Sequence, residues 1–248
     1  MIRFLLVVIF VVSYLVIGCI PAAVLWLIGQ KNPGLKDRVS YHMIQWAFHV
    51  ILFLSGVKLT VEGQEKIPTD RPVLYVGNHR SFYDIIISYT LFPGITGFVA
   101  KKETLKIPLL SLWMKYIHCL FLDRENIKEG LKTILAGIEK VKSGISICIY
   151  PEGTRSRSND ELEMLDFKEG SLKIAEKSGC PVIPVAMLRT ADIFENHFPR
   201  VCATHVHVRI GDPIDLKSLD RESRKFSGAY TRNVILQMLT EMKDTQNS

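Results

Sequence analysis

The chain has few of the devices that staple small proteins or grip nucleotides. Its five cysteines, Cys19, Cys119, Cys148, Cys180 and Cys202, are odd in number and scattered, with no Cys-x-x-Cys pair. That pattern argues against a disulfide framework or a zinc site and reads as reduced, mostly buried thiols in a reducing compartment. Neither a glycine-rich nucleotide fingerprint nor a Gly-x-Ser-x-Gly elbow occurs, which sets aside kinase, dehydrogenase and common lipase chemistry. No internal repeat, linker or low-complexity tract divides the chain. Its 248 residues suit one sizeable α/β domain with a small appendage.

Charge is the second absence. From Phe4 to Gln30 the chain carries none: "FLLVVIFVVSYLVIGCIPAAVLWLIGQ". As a straight helix this run would extend roughly 40 Å, enough to cross a bilayer, with Pro21 as the expected interruption. A second uncharged stretch, "VSYHMIQWAFHVILFLSGV" (39–57), is less lipid-like because it carries His42, Gln45 and His49. The link "KNPGLKDR" reads as a turn, so residues 1–60 are expected to form a membrane-associated two-helix hairpin, ahead of a main domain at 61–248. A cleaved signal peptide fits poorly, since the run is too long and Arg3 is its only basic flank. "VIGC" loosely resembles a lipoprotein cleavage site, but the apolar run continues past Cys19. Hydropathy leaves open whether the hairpin spans the bilayer or dips into one leaflet. Lys31, Lys36, Arg38 and Lys58 suit anionic headgroups. The formal net charge of +6 likewise fits an acidic lipid surface or a phosphorylated substrate. Without interleaved aromatics or a recognition helix, nucleic acid is not an expected partner.

Downstream, short apolar strands alternate with helices. "PVLYVGN" (72–78), "GFVAK" (97–101), "CLFLD" (119–123), "ISICIYP" (145–151), "PVIPVAML" (181–188) and "HVHVRIGDPI" (205–214) read as strands. "DIIISYTLF", "IKEGLKTILAGIEKVKSG", "GSLKIAEKSG" and the segment from Glu222 to Lys243 read as helices. The alternation predicts an α/β fold: a partly parallel, mixed sheet with helices on both faces.

Within "YVGNHRSFYD" (75–84), His79 and Asp84 stand five positions apart. On one regular helix they would diverge by about 140°, so they can meet only if His79 lies in the turn and Asp84 one turn into the helix. Ser81 as N-cap with Asp84 at the third helical position is equally a capping box. Both readings stand on these residues alone. "YPEGTRSR" (150–157) follows an apolar strand and so lies at a carboxyl end, where α/β proteins place ligand sites. Its Glu152, Gly153, Thr154 and Arg155 combine a close-approach glycine, a hydroxyl and a planar guanidinium suited to phosphate.

Together "NHRSFYD" and "YPEGTRS" resemble the first and third blocks of the glycerophospholipid acyltransferase family, most of all its bacterial 1-acyl-glycerol-3-phosphate acyltransferases. Asn78, His79 and Asp84 match the Asn-His-x4-Asp signature, and Glu152–Arg155 the Glu-Gly-Thr-Arg block. "AKKETLKIPLLSLWMKYIHCLFLDR" resembles the second block through Lys102, Pro108 and Arg124, though Ser111 and His118 replace glycines common there. "GCPVIPVAM" resembles the fourth block through Pro181 and Pro184.

The resemblance implies an enzyme that moves a fatty acyl group from acyl-coenzyme A or acyl carrier protein to the sn-2 hydroxyl of lysophosphatidic acid. His79 would act as general base and Asp84 would orient it, like a serine protease triad in which the substrate's hydroxyl replaces the serine, so no acyl-enzyme forms. Asn78, Ser81, Lys101, Lys102, Arg124, Glu152, Gly153, Thr154 and Arg155 would bind substrate. No metal or cofactor is called for. The enzyme would act at the membrane through residues 1–60, with its catalytic domain on the cytoplasmic face. Glycerol 3-phosphate, another lysophospholipid, or a non-catalytic lipid-binding role are the alternatives. His205 and His207 share a strand face without an evident third ligand, and read as surface residues. The stripe Leu109–Trp113 fits either the core or the bilayer surface.

Overall fold

The computed structural model describes residues 1–247, with side chains through Thr245. The uncharged N-terminal run folds as two helices, α1 (Ile2–Ile17) and α2 (Cys19–Lys31), bent by 42° at Gly18. The break is therefore not at Pro21. That proline sits in the first turn of α2, where its missing N–H costs no intrahelical bond. At Gly18 the Tyr14 carbonyl oxygen lies 2.4 Å, and the Trp113 indole 3.2 Å, from where a Cβ would be, so the backbone bends where only hydrogen fits. The expected turn contracts to Asn32, whose side chain accepts from the Leu35 N–H at 3.0 Å, with Pro33 opening α3 (Pro33–Ser55). Gly34 to Arg38 thus belong to α3, and the hairpin has one bent arm and one straight arm. Among the described residues no single helix is long and apolar enough to cross a membrane, though α1 and α2 together meet the length and composition required. Ile2, Leu5, Ile9, Val16, Ile20 and Trp26 leave an exposed apolar face on that arm.

Seven strands form one sheet in the order β1-β7-β6-β2-β5-β3-β4. They are β1 (Lys58–Glu62), β2 (Leu74–Gly77), β3 (Thr96–Lys101), β4 (Leu120–Leu122), β5 (Ser146–Ile149), β6 (Val182–Leu188) and β7 (His205–Ile210). Strands β2 to β6 run parallel, β7 lies antiparallel to β6, and β1 pairs parallel with β7. The sheet is mixed, as predicted. Strand β1 was not foreseen, and the division expected at residue 60 falls inside it.

The central strands are apolar on both faces because each face is covered. Tyr75, Cys148 and Ile183 point into a core shared with α3, α4 (Tyr83–Leu91) and α5 (Pro108–Tyr116). Leu74, Ile147 and Val182 point into the opposite core, with α6 (Ile127–Lys142), α7 (Lys173–Ser178) and α9 (Ser227–Asn247). A five-residue helix, α8 (Arg221–Lys225), precedes α9. Trp113 lies in the first core, which resolves the two readings of its stripe at that residue. The apolar stripe of α6 is buried only at its carboxyl end, by Ile138 and Val141; Ile127 is 90% exposed.

Two positions fix the close packing of β3 on the α5–β4 turn. His118 takes the left-handed conformation, φ 59°, a backbone geometry that ordinarily favours glycine. Its carbonyl oxygen then lies 2.3 Å from where a Cβ on Gly97 would be. Gly97→Ala is therefore expected to destabilise the protein by about 1–3 kcal/mol in denaturant unfolding, as overpacking against rigid backbone does. Gly170→Ala, where a Cβ meets nothing within 4 Å, is the matched control and should be near neutral. Equal stability of the two variants would refute this packing constraint.

Candidate active site

Parallel strands deliver their following loops to one edge of the sheet. His79 leaves β2 there, and its backbone is held at both ends by the loop after β5. Its N–H donates to Glu152 Oε1 at 2.7 Å, and its carbonyl accepts from the Ser156 N–H at 2.8 Å. One residue earlier, the buried Asn78 side chain donates to the Met187 carbonyl and accepts the Met187 N–H, both at 2.9 Å. This amide tie joins β2 to β6 just beyond the last ladder pair, so Asn78 engages the backbone instead of presenting its amide to a ligand.

The His79 ring meets Asp84, with Nδ1 2.8 Å from Oδ2. The same oxygen accepts the N–H groups of Arg80 at 2.7 Å and Ser81 at 2.8 Å. Ser81 Oγ in turn accepts the Tyr83 N–H at 3.0 Å. The helix begins one residue later than the capping-box reading places it, with Phe82 at the N-cap, no side-chain cap bond and Asp84 second in α4. The carboxylate thus holds the amides of the preceding turn together with the imidazole. A carboxylate acceptor places the ring proton on Nδ1 and leaves a lone pair on Nε2. The ring stacks on Tyr150, centroids 4.4 Å apart, and the Tyr150 hydroxyl lies 3.1 Å from Ser88 Oγ. Burial pushes the Tyr150 phenol well above its ordinary value, so this floor under the ring is neutral.

Glu152 is buried, and its second oxygen accepts the Leu165 N–H at 3.0 Å. Burial raises its carboxyl above the usual range, while hydrogen bonds from the His79 and Leu165 amides oppose the rise. With both oxygens on backbone amides, Glu152 acts here as the fastener of His79. Gly153 takes φ 74°, a left-handed turn, and Thr154 is exposed.

Arg155 donates from Nη1 to Glu195 Oε1 at 2.8 Å, and its guanidinium lies 3.8 Å over the Phe82 ring. Ser81 Oγ also donates to Glu195, at 2.6 Å. His79, Asp84, Ser81, Glu152 and Arg155 therefore form one hydrogen-bonded group. Lys101 and Lys102, at the end of β3, pair instead with Glu103 at 3.6 Å and Asp123 at 3.0 Å. The exposed Arg124 follows β4, three places from β2 in the strand order, a span of about 14 Å at strand spacing. The second cationic cluster thus lies beyond β5, along the sheet from His79.

Two contributors were missed. The buried Arg80 donates to the carbonyls of Asp160 at 3.0 Å and of Ser158, holding the loop that follows Arg155. A charge inside a turn between two apolar elements was the available signal. Glu195 had none, because its pairing depends on β6 lying beside β2. Elsewhere, His205 Nε2 is 2.8 Å from Thr60 Oγ1, and Ser111 donates to the Pro108 carbonyl at 3.1 Å within α5. An apolar cavity of about 110 Å³ lies between α1, α3 and α5, lined by Phe10, Tyr14, Ile44, Phe48, Leu110 and Trp113 among others.

Comparison with known proteins agrees with the motifs. The acyltransferase family model matches residues 58–188. The chain is 29% identical over 206 residues to the 1-acyl-sn-glycerol-3-phosphate acyltransferase of Borreliella burgdorferi, covering 83% of this chain and 81% of that protein. It is 30% identical over 209 residues to the protein of the same name from Saccharomyces cerevisiae, covering 82% and 67%. The crystal structure of the 1-acyl-sn-glycerophosphate (LPA) acyltransferase PlsC from Thermotoga maritima matches with a TM-score of 0.82 at 27% identity, covering 97% of this chain and 95% of that one. The match extends over more than half the chain and over every residue of the His79 cluster except Glu195, and on that basis the protein belongs to the acyltransferase family.

Proposed function

We propose that the protein transfers a fatty acyl group from an acyl thioester to the free sn-2 hydroxyl of lysophosphatidic acid, yielding phosphatidic acid and a free thiol. The observation that carries this reading is the His79–Asp84 pair, with Nδ1 committed to the carboxylate and Nε2 left as a base. The hydroxyl attacks the thioester carbonyl carbon while its proton passes to Nε2. The tetrahedral intermediate collapses, the carbon–sulfur bond breaks, and the leaving thiolate takes the proton back from the imidazolium. Asp84 stabilises that transient cation and fixes the ring.

Arg155 is the guanidinium tied into the histidine's cluster, and we assign it the acceptor's phosphate. Lys101, Lys102 and Arg124 add positive potential along the same edge. The apolar cavity of about 110 Å³ between the hairpin and α5 has room for only a short stretch of a hydrocarbon chain. Named relatives act as 1-acyl-sn-glycerol-3-phosphate acyltransferases, which favours lysophosphatidic acid over other acceptors. The donor is acyl-coenzyme A or acyl carrier protein, both acidic and suited to a basic protein. The exposed apolar face of α1 and α2 would rest in the membrane, which brings the site to its lipid substrate. The five free thiols fit a catalytic domain on the cytoplasmic face.

A labelled acyl donor with lysophosphatidic acid should give phosphatidic acid, identified by mass. Preference for glycerol 3-phosphate or for a headgroup-esterified lysolipid in the same assay would overturn the acceptor. His79→Ala should lower kcat by about 10²–10⁴ with acceptor binding retained, and Asp84→Ala should act in the same direction. Near-normal turnover in both would remove the base. Arg155→Ala should chiefly raise the acceptor KM; an unchanged constant would reassign the phosphate site. Glu152→Gln keeps the shape but offers one acceptor to two amide donors. It should cost about 1–3 kcal/mol in unfolding and lower kcat through a loosened His79. Wild-type stability and turnover in that variant would show that the amide clamp is dispensable.

A further inference from the structure

A guanidinium on a loop is a poor receptor for a phosphate unless something holds it. Arginine carries about 2 kcal/mol of rotamer entropy, and that freedom must be lost when an anion is gripped. Arg155 follows Gly153 and the exposed Thr154, so its own loop does not immobilise the head. The order comes from across the sheet. We infer that Glu195 is the positioning residue for acceptor recognition, holding Arg155 ready for the phosphate and locking it to the start of α4. This inference rests on the reading of Arg155 as the phosphate ligand.

Three donors converge on the Glu195 carboxylate. Arg155 Nη1 and the Phe82 N–H reach Oε1 at 2.8 and 2.9 Å, and Ser81 Oγ reaches Oε2 at 2.6 Å. Two of these come from the segment between His79 and Asp84, so a single side chain joins the phosphate ligand to the turn that carries the base. The Phe82 ring, 53% exposed, supports the guanidinium from one side at 3.8 Å. One nitrogen is spent on Glu195, and a guanidinium offers five N–H groups, so donors remain for an anion.

The position of Glu195 is itself fixed by the fold. It opens a short 3-10 turn, Glu195–His197, beyond β6. The preceding Phe194 stacks on Phe4 of α1 with ring centroids 5.8 Å apart. The Cys202 N–H donates to the Ile193 carbonyl at 2.9 Å, closing the segment on itself. A carboxylate beside a phosphate site would weaken binding if charge alone counted, so its presence is explained by orientation. That makes the sign of its removal diagnostic.

The experiment uses the full chain in lipid–detergent micelles and measures kcat and both KM values for wild type, E195Q, R155A and the double variant, with thermal unfolding of each. E195Q should raise the acceptor KM roughly tenfold, with kcat within about twofold and the donor KM unchanged. Added to R155A, it should change the acceptor KM no further, because Glu195 acts through that arginine. A merely structural role would instead lower kcat and the unfolding temperature together, overturning the assignment. A fall in acceptor KM would identify the carboxylate as a competitor for the phosphate and overturn it as well, as would a rise that adds to that of R155A. A rise in R155A with none in E195Q would remove Glu195 alone. An unchanged constant in R155A would remove both Glu195 and the phosphate reading on which it rests.

Discussion

One buried oxygen organises the edge of the sheet that carries His79. Asp84 Oδ2 accepts the Arg80 and Ser81 amides and faces the His79 ring, all within 2.8 Å. Taking a carboxylate out of water is costly, and it persists only where donors replace the lost hydration. Here two of the donors are amides of the buried turn ahead of α4, which must find partners in any case. The turn and the carboxylate therefore satisfy each other, and the imidazole adds the third contact. This is why a spacing of five residues works. The turn reverses the chain between His79 and α4, so the ring folds back over the helix that carries its partner.

The remaining residues of the motifs serve mostly to hold that turn in place. Asn78 ties it to β6 through a backbone-like pair of hydrogen bonds, and Glu152 and Ser156 grip the two ends of the His79 residue from β5. Under the proposed mechanism His79 gains from such rigidity, since misplacement of a proton acceptor by about 1 Å can cost about 10² in rate. The polar side chains around His79 therefore divide by direction. Asn78 and Glu152, with both polar atoms on backbone, build the frame, whereas the half-buried Arg155 keeps donors to spare.

That division marks the limit of what the sequence makes legible. The alternation of apolar strands with helices is read directly, because central strands covered on both faces lose their polar positions, as in "ISICIYP" and "PVIPVAML". Strand β1, "KLTVE", escapes because an edge strand needs only one apolar face and two of its five residues are charged. Pro21 misleads because proline is tolerated in a first turn, whereas the bend falls at Gly18, where the Tyr14 carbonyl leaves no room for a side chain. Residue type alone cannot separate a carboxylate that fastens a backbone from one that binds substrate. Glu152 and Asn78 are legible as important and not as structural. Glu195 is invisible from sequence because its role exists only once β6 is placed beside β2.

The hairpin is more than an anchor attached by a tether. Its straight arm, α3, forms part of the layer over the sheet, with Ile44, Ile51 and Leu52 in the same core as Tyr75 and Ile183. Its last residue, Ser55, lies 2.6 Å from the Tyr83 hydroxyl at the start of α4, the helix that carries Asp84. The bent arm reaches the other flank of the site, where Phe4 stacks on Phe194 beside Glu195. Close-packed interiors transmit displacement instead of absorbing it. The exposed apolar face of α1 and α2 is therefore held at a set height and angle relative to His79. Under the proposed function, with an acceptor whose chain stays in a bilayer, that fixed geometry would set how far the reacting hydroxyl rises to reach His79.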